Sequence, residues 1–251
     1  MAIVPAASQA LKILRYLAAQ AEPVPAAAIS RDLKLPRSTT YHLLDTLAGE
    51  GFVTHLGDDR RYGLGVAAFD LASGYSRQAP LQRLARVPLA ALADRVRYGA
   101  HLAVLHGRDV LYVLEERVPG RPPLVTDVGV RLPAHLTASG RAMLAMLSAE
   151  QVRALFPGRD ALTLRTEVGP TSMSQLRELL RASRRDGVAV EDGEVTRGFA
   201  SVAAAIPDHT GHPVASVAVT FPADEVPAER RAEIAAEVRH TAALLAGRIH
   251  G

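Results

Sequence analysis

The chain has 251 residues, 48% hydrophobic and 22% charged, which is ordinary for a soluble globular protein and long enough for two domains. Its lack of cysteine excludes disulfides and thiolate metal sites. No apolar run reaches the length of a membrane span, and Met1-Ala2-Ile3-Val4-Pro5 lacks the basic region and apolar core of a signal peptide, so a cytoplasmic protein with no membrane partner is expected. The net charge is +3, yet residues 1–77 carry eight Lys or Arg against seven Asp or Glu. Affinity for a polyanion therefore has to come from placement and from repetition of the domain in an oligomer, since each neutralised phosphate contributes separately.

Residues 7–20 read as a first helix, with Ala10, Leu11, Leu14, Leu17 and Ala18 on a core stripe and Ile13 at its edge. Two further helical patterns follow. The first is Pro25–Leu33, the turn is Lys34-Leu35, and the second opens at Pro36, whose fixed φ and missing N–H suit a helix start. Arg37, Ser38, Thr39, Thr40 and His42 crowd the first two turns of that second helix, whereas Leu43, Leu44 and Leu47 repeat at core spacing. After Gly49-Glu50-Gly51, the runs Phe52–His55 and Arg61–Leu64 flank Gly57-Asp58-Asp59-Arg60, which has the composition of a hairpin turn. This is the outline of a winged helix-turn-helix.

In such a unit the second helix points its N-terminal residues into the DNA major groove. Arg37 reaches guanine O6/N7 or a phosphate, the hydroxyls of Ser38, Thr39, Thr40 and Tyr41 reach phosphates or base edges, and His42 lies on the same turns. Arg60 and Arg61 at the wing suit the backbone or the minor groove. The alternative is a winged helix used only for protein contacts, with these arginines as solvated charge.

Beyond the wing, Val66–Ser73 reads as a short helix ending at Gly74, Tyr75–Pro80 as a boundary loop, and Leu81–Val96 as a helix kinked at Pro88. Candidate strands are Ala100–Leu105, Val110–Glu115, Leu124–Val128, Gly187–Val190, Ser201–Ile206 and Val214–Phe221. Candidate helices are Thr137–Met146, Ala149–Phe156, Ser172–Arg185 and Ala228–Arg248. The pattern predicts an α+β domain, an antiparallel sheet with helices on one face and a ligand cavity on the other. Along the last strand, Ala215, Val217, Val219 and Phe221 form a bulky face suited to helix packing. Ser201, Ala203, Ala218 and Thr220 instead make a shallow floor suited to a small organic ligand, or a seat for a closely packed helix.

Residues 7–64 resemble the DNA-binding domain of the IclR family of bacterial transcriptional regulators. The matching stretches are Ser8–Leu14, Leu35–Leu44, Leu47–Val53 and Tyr62–Gly65. The resemblance continues through Arg131–Ala142, Gly187–Glu194 and Gly198–Ile206. It implies a winged helix-turn-helix with a linker helix over residues 1–76, and a GAF-like effector-binding and oligomerisation domain over 77–251. It also implies double-stranded operator DNA as a partner, a small-molecule effector, and a homodimer or homotetramer in which the helix around Ala10–Leu17 contributes to the dimer contact. Relatives that bind small carboxylates contact them through an acid in the motif matching Val190-Glu191-Asp192, a cysteine where this chain has Ser201, and hydroxyl residues at the positions of Ala218 and Thr220. Ser201 and Ala218 are departures, as is Ala205 where proline is usual. The space at Ala218 favours a bulkier or less polar effector.

Gly63-Leu64-Gly65-Val66-Ala67-Ala68 matches the loose dinucleotide fingerprint, but it follows a wing rather than the first strand of a βαβ unit and reads as a helix start. There is no nucleophile elbow, HExxH or Walker sequence. His209 and His212 sit in a turn-like segment, and Glu191, Asp192 and Glu194 read as a pocket rim with Glu191 as hydrogen-bond acceptor. No catalytic residue, metal or cofactor is expected. The leading expectation is a ligand-responsive DNA-binding transcriptional regulator, and the competing one is a metabolite-binding or enzymatic domain that uses its winged helix for protein contacts.

Overall fold

In a computed structural model, the described residues are 4–20, 22–56, 61–71, 80–120 and 124–250. Contacts divide the chain into two units, residues 1–79 and 80–251. The hairpin turn Gly57–Arg60, the helix end at Ser73 and Gly74, the loop 75–79 and the expected boundary after residue 76 lie outside the described residues.

The first unit contains α1 (Pro5–Ala18), β1 (Val24–Pro25), α2 (Ala26–Asp32), α3 (Arg37–Gly49), β2 (Val53–Leu56) and β3 (Arg61–Leu64), with the strands in the antiparallel order β1-β3-β2. Its core joins Ile13 and Leu17 of α1 to Ile29, Leu44, Leu47, Val53 and Tyr62. Ile13, expected at the edge of the stripe, is fully buried, and Leu11, expected inside it, is 57% exposed. The apolar line follows the i, i+4 pair Ile13 and Leu17 with Ala10 beside it, which turns Leu11 outwards. Between α2 and α3, Lys34 takes φ 53°, and Ser30 Oγ donates to the Leu35 carbonyl at 2.7 Å while the Leu35 amide donates to the Ser30 carbonyl at 2.9 Å. The two glycine-containing stretches of the wing meet: a Cβ on Gly65 would overlap the Gly51 carbonyl. Residues 66–71 are helical, so the GxGxxA run is a helix start.

The second unit begins with α4 (Pro80–Val96). It then runs through β4 (Gly99–His106), β5 (Asp109–Glu116), β6 (Arg131–Pro133), α5 (Ala138–Met146), α6 (Ala149–Leu155), α7 (Met173–Asp186), β7 (Ala189–Asp192), β8 (Phe199–Pro207), β9 (Pro213–Pro222) and α8 (Ala228–His250). Among the described residues its six strands form one antiparallel sheet in the order β6-β5-β4-β9-β8-β7. Leu89, Leu92 and Val96 of α4 and Ile234, Val238 and Leu245 of α8 join Ala215, Val217, Val219 and Phe221 of β9 in one core, as the bulky alternation predicts.

The opposite face was expected to hold a ligand cavity or to seat a helix, and its alanine part seats a helix. Ala138 and Ala142 of α5 pack on Ala189, Ala203 and Ala218, and Met143 and Leu144 join Leu176 and Leu180 of α7 in a further cluster. Helices therefore cover both faces, because a stripe of alanines lets α5 lie close to the sheet. The expected strand Leu124–Val128 is bend and turn instead. The free edge of β5 pairs with β6 instead, and next to it the Val130 carbonyl accepts from the Tyr112 amide at 3.1 Å.

The start of α5 explains the stretch Pro133–Arg141. Thr137 is its N-cap and accepts from the Gly140 amide at 3.0 Å. Gly140 lies against the preceding loop, so that a Cβ there would overlap the Ala134 carbonyl oxygen and Cα. Gly140→Ala is expected to lower stability by roughly 1–3 kcal/mol or more, the cost of overpacking against backbone that cannot yield. Chemical denaturation of the full chain measures it, and an unchanged midpoint would show that α5 can shift freely.

Candidate functional site

In the first unit, α3 begins at its N-cap Pro36 and turns one face to solvent. Arg37, Ser38, Tyr41 and His42 are exposed, and Thr39 is half-buried. Thr40 does not belong with them. It is fully buried, its Oγ1 donates to the Pro36 carbonyl at 3.0 Å, and it shares the inner face of the helix with Leu44 and Leu47. Asp45 and Thr46 extend the exposed face by another turn, which residue type alone did not single out. Arg61 is exposed, and its Nη1 donates to the Pro23 carbonyl at 3.0 Å, tying β3 to the chain ahead of α2. Arg60 lies outside the described residues.

In the second unit, strand register brings the chemistry together. Glu191 on β7 stands opposite Ser201 on β8, Ser201 opposite Thr220 on β9, and Thr220 opposite Gly99 on β4. Ser201 Oγ donates to Glu191 Oε1 at 2.6 Å and shares a 2.9 Å hydrogen bond with Thr220 Oγ1. These three side chains line a cavity of about 60 Å³, together with Tyr112, Thr126, Val195 and Phe199. Glu191 is 4% exposed and its Oε2 has no partner among the described residues. Burial pushes its carboxyl up to about 7; the charge of Glu194 acts in the same direction, while the Ser201 hydroxyl, the Val195 amide and Arg141 act against it.

Ala203 and Ala218, expected beside them, are buried one row further along, beneath α5. His101 occupies the same row, opposite Ala218. It is fully buried, lies edge-on to the Tyr112 ring, and has Nε2 3.3 Å from Thr126 Oγ1; desolvation pushes its pKa down to about 4, so the ring is neutral. Arg141 is the other residue that sequence reasoning missed. Its Nε donates to the His135 carbonyl at 2.8 Å, Nη1 to the Val190 carbonyl at 2.8 Å and Nη2 to Glu194 Oε1 at 2.7 Å. The available signal was an arginine set among Ala138, Ala142, Leu144 and Ala145. His209 and His212 belong to a turn organised by Asp208 Oδ1, which accepts from the amides of Thr210 and His212. Among the described residues no three His, Cys, Asp or Glu converge as a metal site.

Comparison with known proteins fits both halves of this geometry. Residues 6–57 match the model of the IclR helix-turn-helix domain, and residues 74–246 match that of the bacterial transcriptional regulator IclR C-terminal domain. The chain belongs to the IclR family. It is 29% identical over 235 residues to the transcriptional repressor IclR of Escherichia coli (strain K12), covering 92% of this chain and 85% of that protein. It is 32% identical over 236 residues to a glycerol operon regulatory protein of Streptomyces coelicolor, covering 93% and 92%. In fold it matches an IclR transcriptional regulator from Alicyclobacillus acidocaldarius with a TM-score of 0.86 at 23% identity, over 98% of this chain and 99% of that one. It also matches an IclR homologue from Microbacterium hydrocarbonoxydans, solved with 4-hydroxybenzoate, with a TM-score of 0.82 at 22% identity, over 97% and 98%.

As an IclR protein the chain is a DNA-binding transcriptional regulator with a C-terminal effector-binding domain, and its α+β architecture is the family's. Among the described residues no helix is long and apolar enough to cross a membrane. The raised pKa of Glu191 has a measurable consequence. Its folded value lies above the unfolded one of 4.5, so the folded state holds the proton more tightly, and this contribution is lost as pH rises from 4.5 through 7. Above pH 7 the buried charge costs on the order of 3 kcal/mol relative to a neutral group. Glu191→Gln is expected to raise the melting temperature relative to the parent at pH 8 and to leave it nearly unchanged at pH 5. Equal effects at both pH values would mean that Glu191 titrates as an ordinary carboxylate.

Proposed function

We propose that this IclR regulator reads an inverted-repeat operator as a two-fold homodimer, with residues 1–76 as the reading domain and 77–251 as the effector domain. Arg37, Ser38, Thr39, Tyr41 and His42 enter the major groove, and Arg60 and Arg61 hold the backbone. The observation that carries this reading is the two-sidedness of α3: a polar face beginning at Arg37 is open, while Thr40, Leu44 and Leu47 seal the other face. A second copy is supported by exposed apolar side chains in the first unit, notably Leu11 on α1 and Val66, Phe69 and Leu71 after the wing. Pairing of dimers through the effector domains gives a tetramer, which sedimentation separates from the dimer.

The effector occupies the cavity at Glu191, Ser201 and Thr220, and it changes operator affinity to the extent that it binds the two states of the protein unequally. Ala203 and Ala218 act on this site by setting how closely α5 approaches the sheet. The protein works in the cytoplasm as a regulator and not as a catalyst; the shared hydroxyl bonds and the buried acid are groups suited to binding.

Arg37→Ala is expected to weaken operator binding by about 1–3 kcal/mol, the worth of one bidentate base contact. The paired substitution of Arg60 and Arg61 by Ala instead weakens binding to all sequences and flattens its salt dependence. Gel-shift titrations at two salt concentrations check both. Unchanged operator affinity of a folded Arg37→Ala protein overturns the assignment of α3, and protection of a single half-site in a footprint overturns the two-fold reading.

A further inference from the structure

The open face of α3 is longer than its basic start. Exposure recurs in pairs along the helix, at Arg37 and Ser38, then Tyr41 and His42, then Asp45 and Thr46, while Thr40, Leu44 and Leu47 are buried. Successive pairs are one turn apart, so a single face stays open through the third turn. In the last pair, Thr46 Oγ1 donates to the His42 carbonyl at 2.9 Å, which commits its hydrogen to the helix itself. Asp45 is the single acid of α3. Leu44 just before it and Leu47 just after it are buried, and this fixes the helical phase that keeps Asp45 on the open face.

A carboxylate on a surface that meets DNA is unfavourable by default. Phosphates line both walls of the major groove, and each repels it. The groove floor is different, because it offers amino donors as well as acceptors. Guanine presents two acceptors, N7 and O6, and thymine presents O4 and a methyl group, so neither satisfies an acid. Adenine presents its N6 amino group beside the N7 acceptor, which opposes the second carboxylate oxygen. Cytosine presents the N4 amino group with no acceptor of its own beside it. It is the base whose edge suits a carboxylate.

We propose that Asp45 is a specificity residue of the operator contact: its carboxylate accepts a hydrogen bond from the N4 amino group of a cytosine in each half-site. The proposal rests on α3 being the reading helix. Arg37 and Asp45 are about 12 Å apart along the helix axis, the rise of about three to four base pairs, so they read different pairs. Their roles are opposite. Arg37 attracts every duplex through its charge and selects guanine, whereas Asp45 lowers affinity for every duplex and recovers it where cytosine stands. Part of the discrimination therefore comes from repulsion at wrong sites.

Selection from a random duplex library by the full-length parent, Asp45→Ala, Asp45→Asn and Arg37→Ala tests this, followed by gel-shift titration of each protein on the parent's selected duplex and on a shuffled one. The parent is expected to prefer cytosine over the other bases at one position of each half-site by at least about fivefold. Asp45→Ala is expected to lose that preference alone and to bind the shuffled duplex more tightly than the parent, because a negative charge has left the groove. Asp45→Asn is expected to select adenine at the same position, since an amide pairs with N6 and N7 together. An unchanged motif in Asp45→Ala, or a preference lost at a pair other than cytosine–guanine, overturns the proposal. So does weaker binding of the folded Asp45→Ala protein to both duplexes, which marks Asp45 as a support of the helix. Arg37→Ala separates this proposal from the assignment beneath it. A preference lost in Arg37→Ala and kept in Asp45→Ala leaves α3 in the groove and refutes only the role of Asp45. If neither variant alters the motif, or the parent selects none, both readings fall.

Discussion

The effector domain is organised around one buried positive charge. Arg141 is 1% exposed. Removing a guanidinium from water is costly unless its donors are met, and here each nitrogen meets an acceptor on a different stretch of chain: the loop ahead of α5, strand β7 and the Glu194 carboxylate. Glu194 in turn accepts from the Asp192 amide at 2.7 Å. The segment 190–194 is thereby clamped on both sides of Glu191. Since Glu194 takes the direct ion pair with Arg141, Glu191 receives only a weak share of that charge, and burial governs its titration. The same clamp that orders β7 leaves the acid beside the cavity without a direct ion pair among the described residues.

How much of this was legible in the sequence depends on whether a residue's environment is local. The helix start at Pro36, the polar first turn of α3 and the bulky face of β9 follow from periodicity, which reports on neighbours a few residues away. Thr40 does not follow from it. A threonine amid Ser38, Thr39 and Tyr41 looks polar, but its position three and four residues from Leu43 and Leu44 turns it into the core, where its hydroxyl is satisfied by the helix's own Pro36 carbonyl. Helical phase, which sets it one turn from Leu44 and about 100° from Tyr41, was the better guide than composition.

Arg141 and His101 were beyond local reading altogether. The partners of Arg141 lie as far as 53 residues away in the chain, and His101 is surrounded by strands whose neighbours the sequence does not announce. The stretch Leu124–Val128 shows the opposite failure: it was read as a strand, but β5 pairs with β6 and β4, and 124–128 stays irregular. Ala203 and Ala218 were ambiguous because a small side chain serves a ligand and a packed helix equally well. The residues facing them decided it, and these are Ala138 and Ala142.

The departures from the family pattern at Ser201 and Ala218 act at different places. A serine hydroxyl donates to Glu191 and shares a hydrogen bond with Thr220, whereas a thiol is a weak donor, so Ser201 builds a continuous polar chain along the row of strands. Ala218 touches α5, and a larger side chain there would lift the helix that carries Arg141. The two sites are therefore linked through one body. If the effector binds at Glu191 as proposed, it acts on the segment that Arg141 holds, and whatever shifts α5 on its alanine seat acts back on Glu191. Such linkage is reciprocal by thermodynamic necessity, so an effector that favours one seating of α5 is itself bound more tightly in that seating.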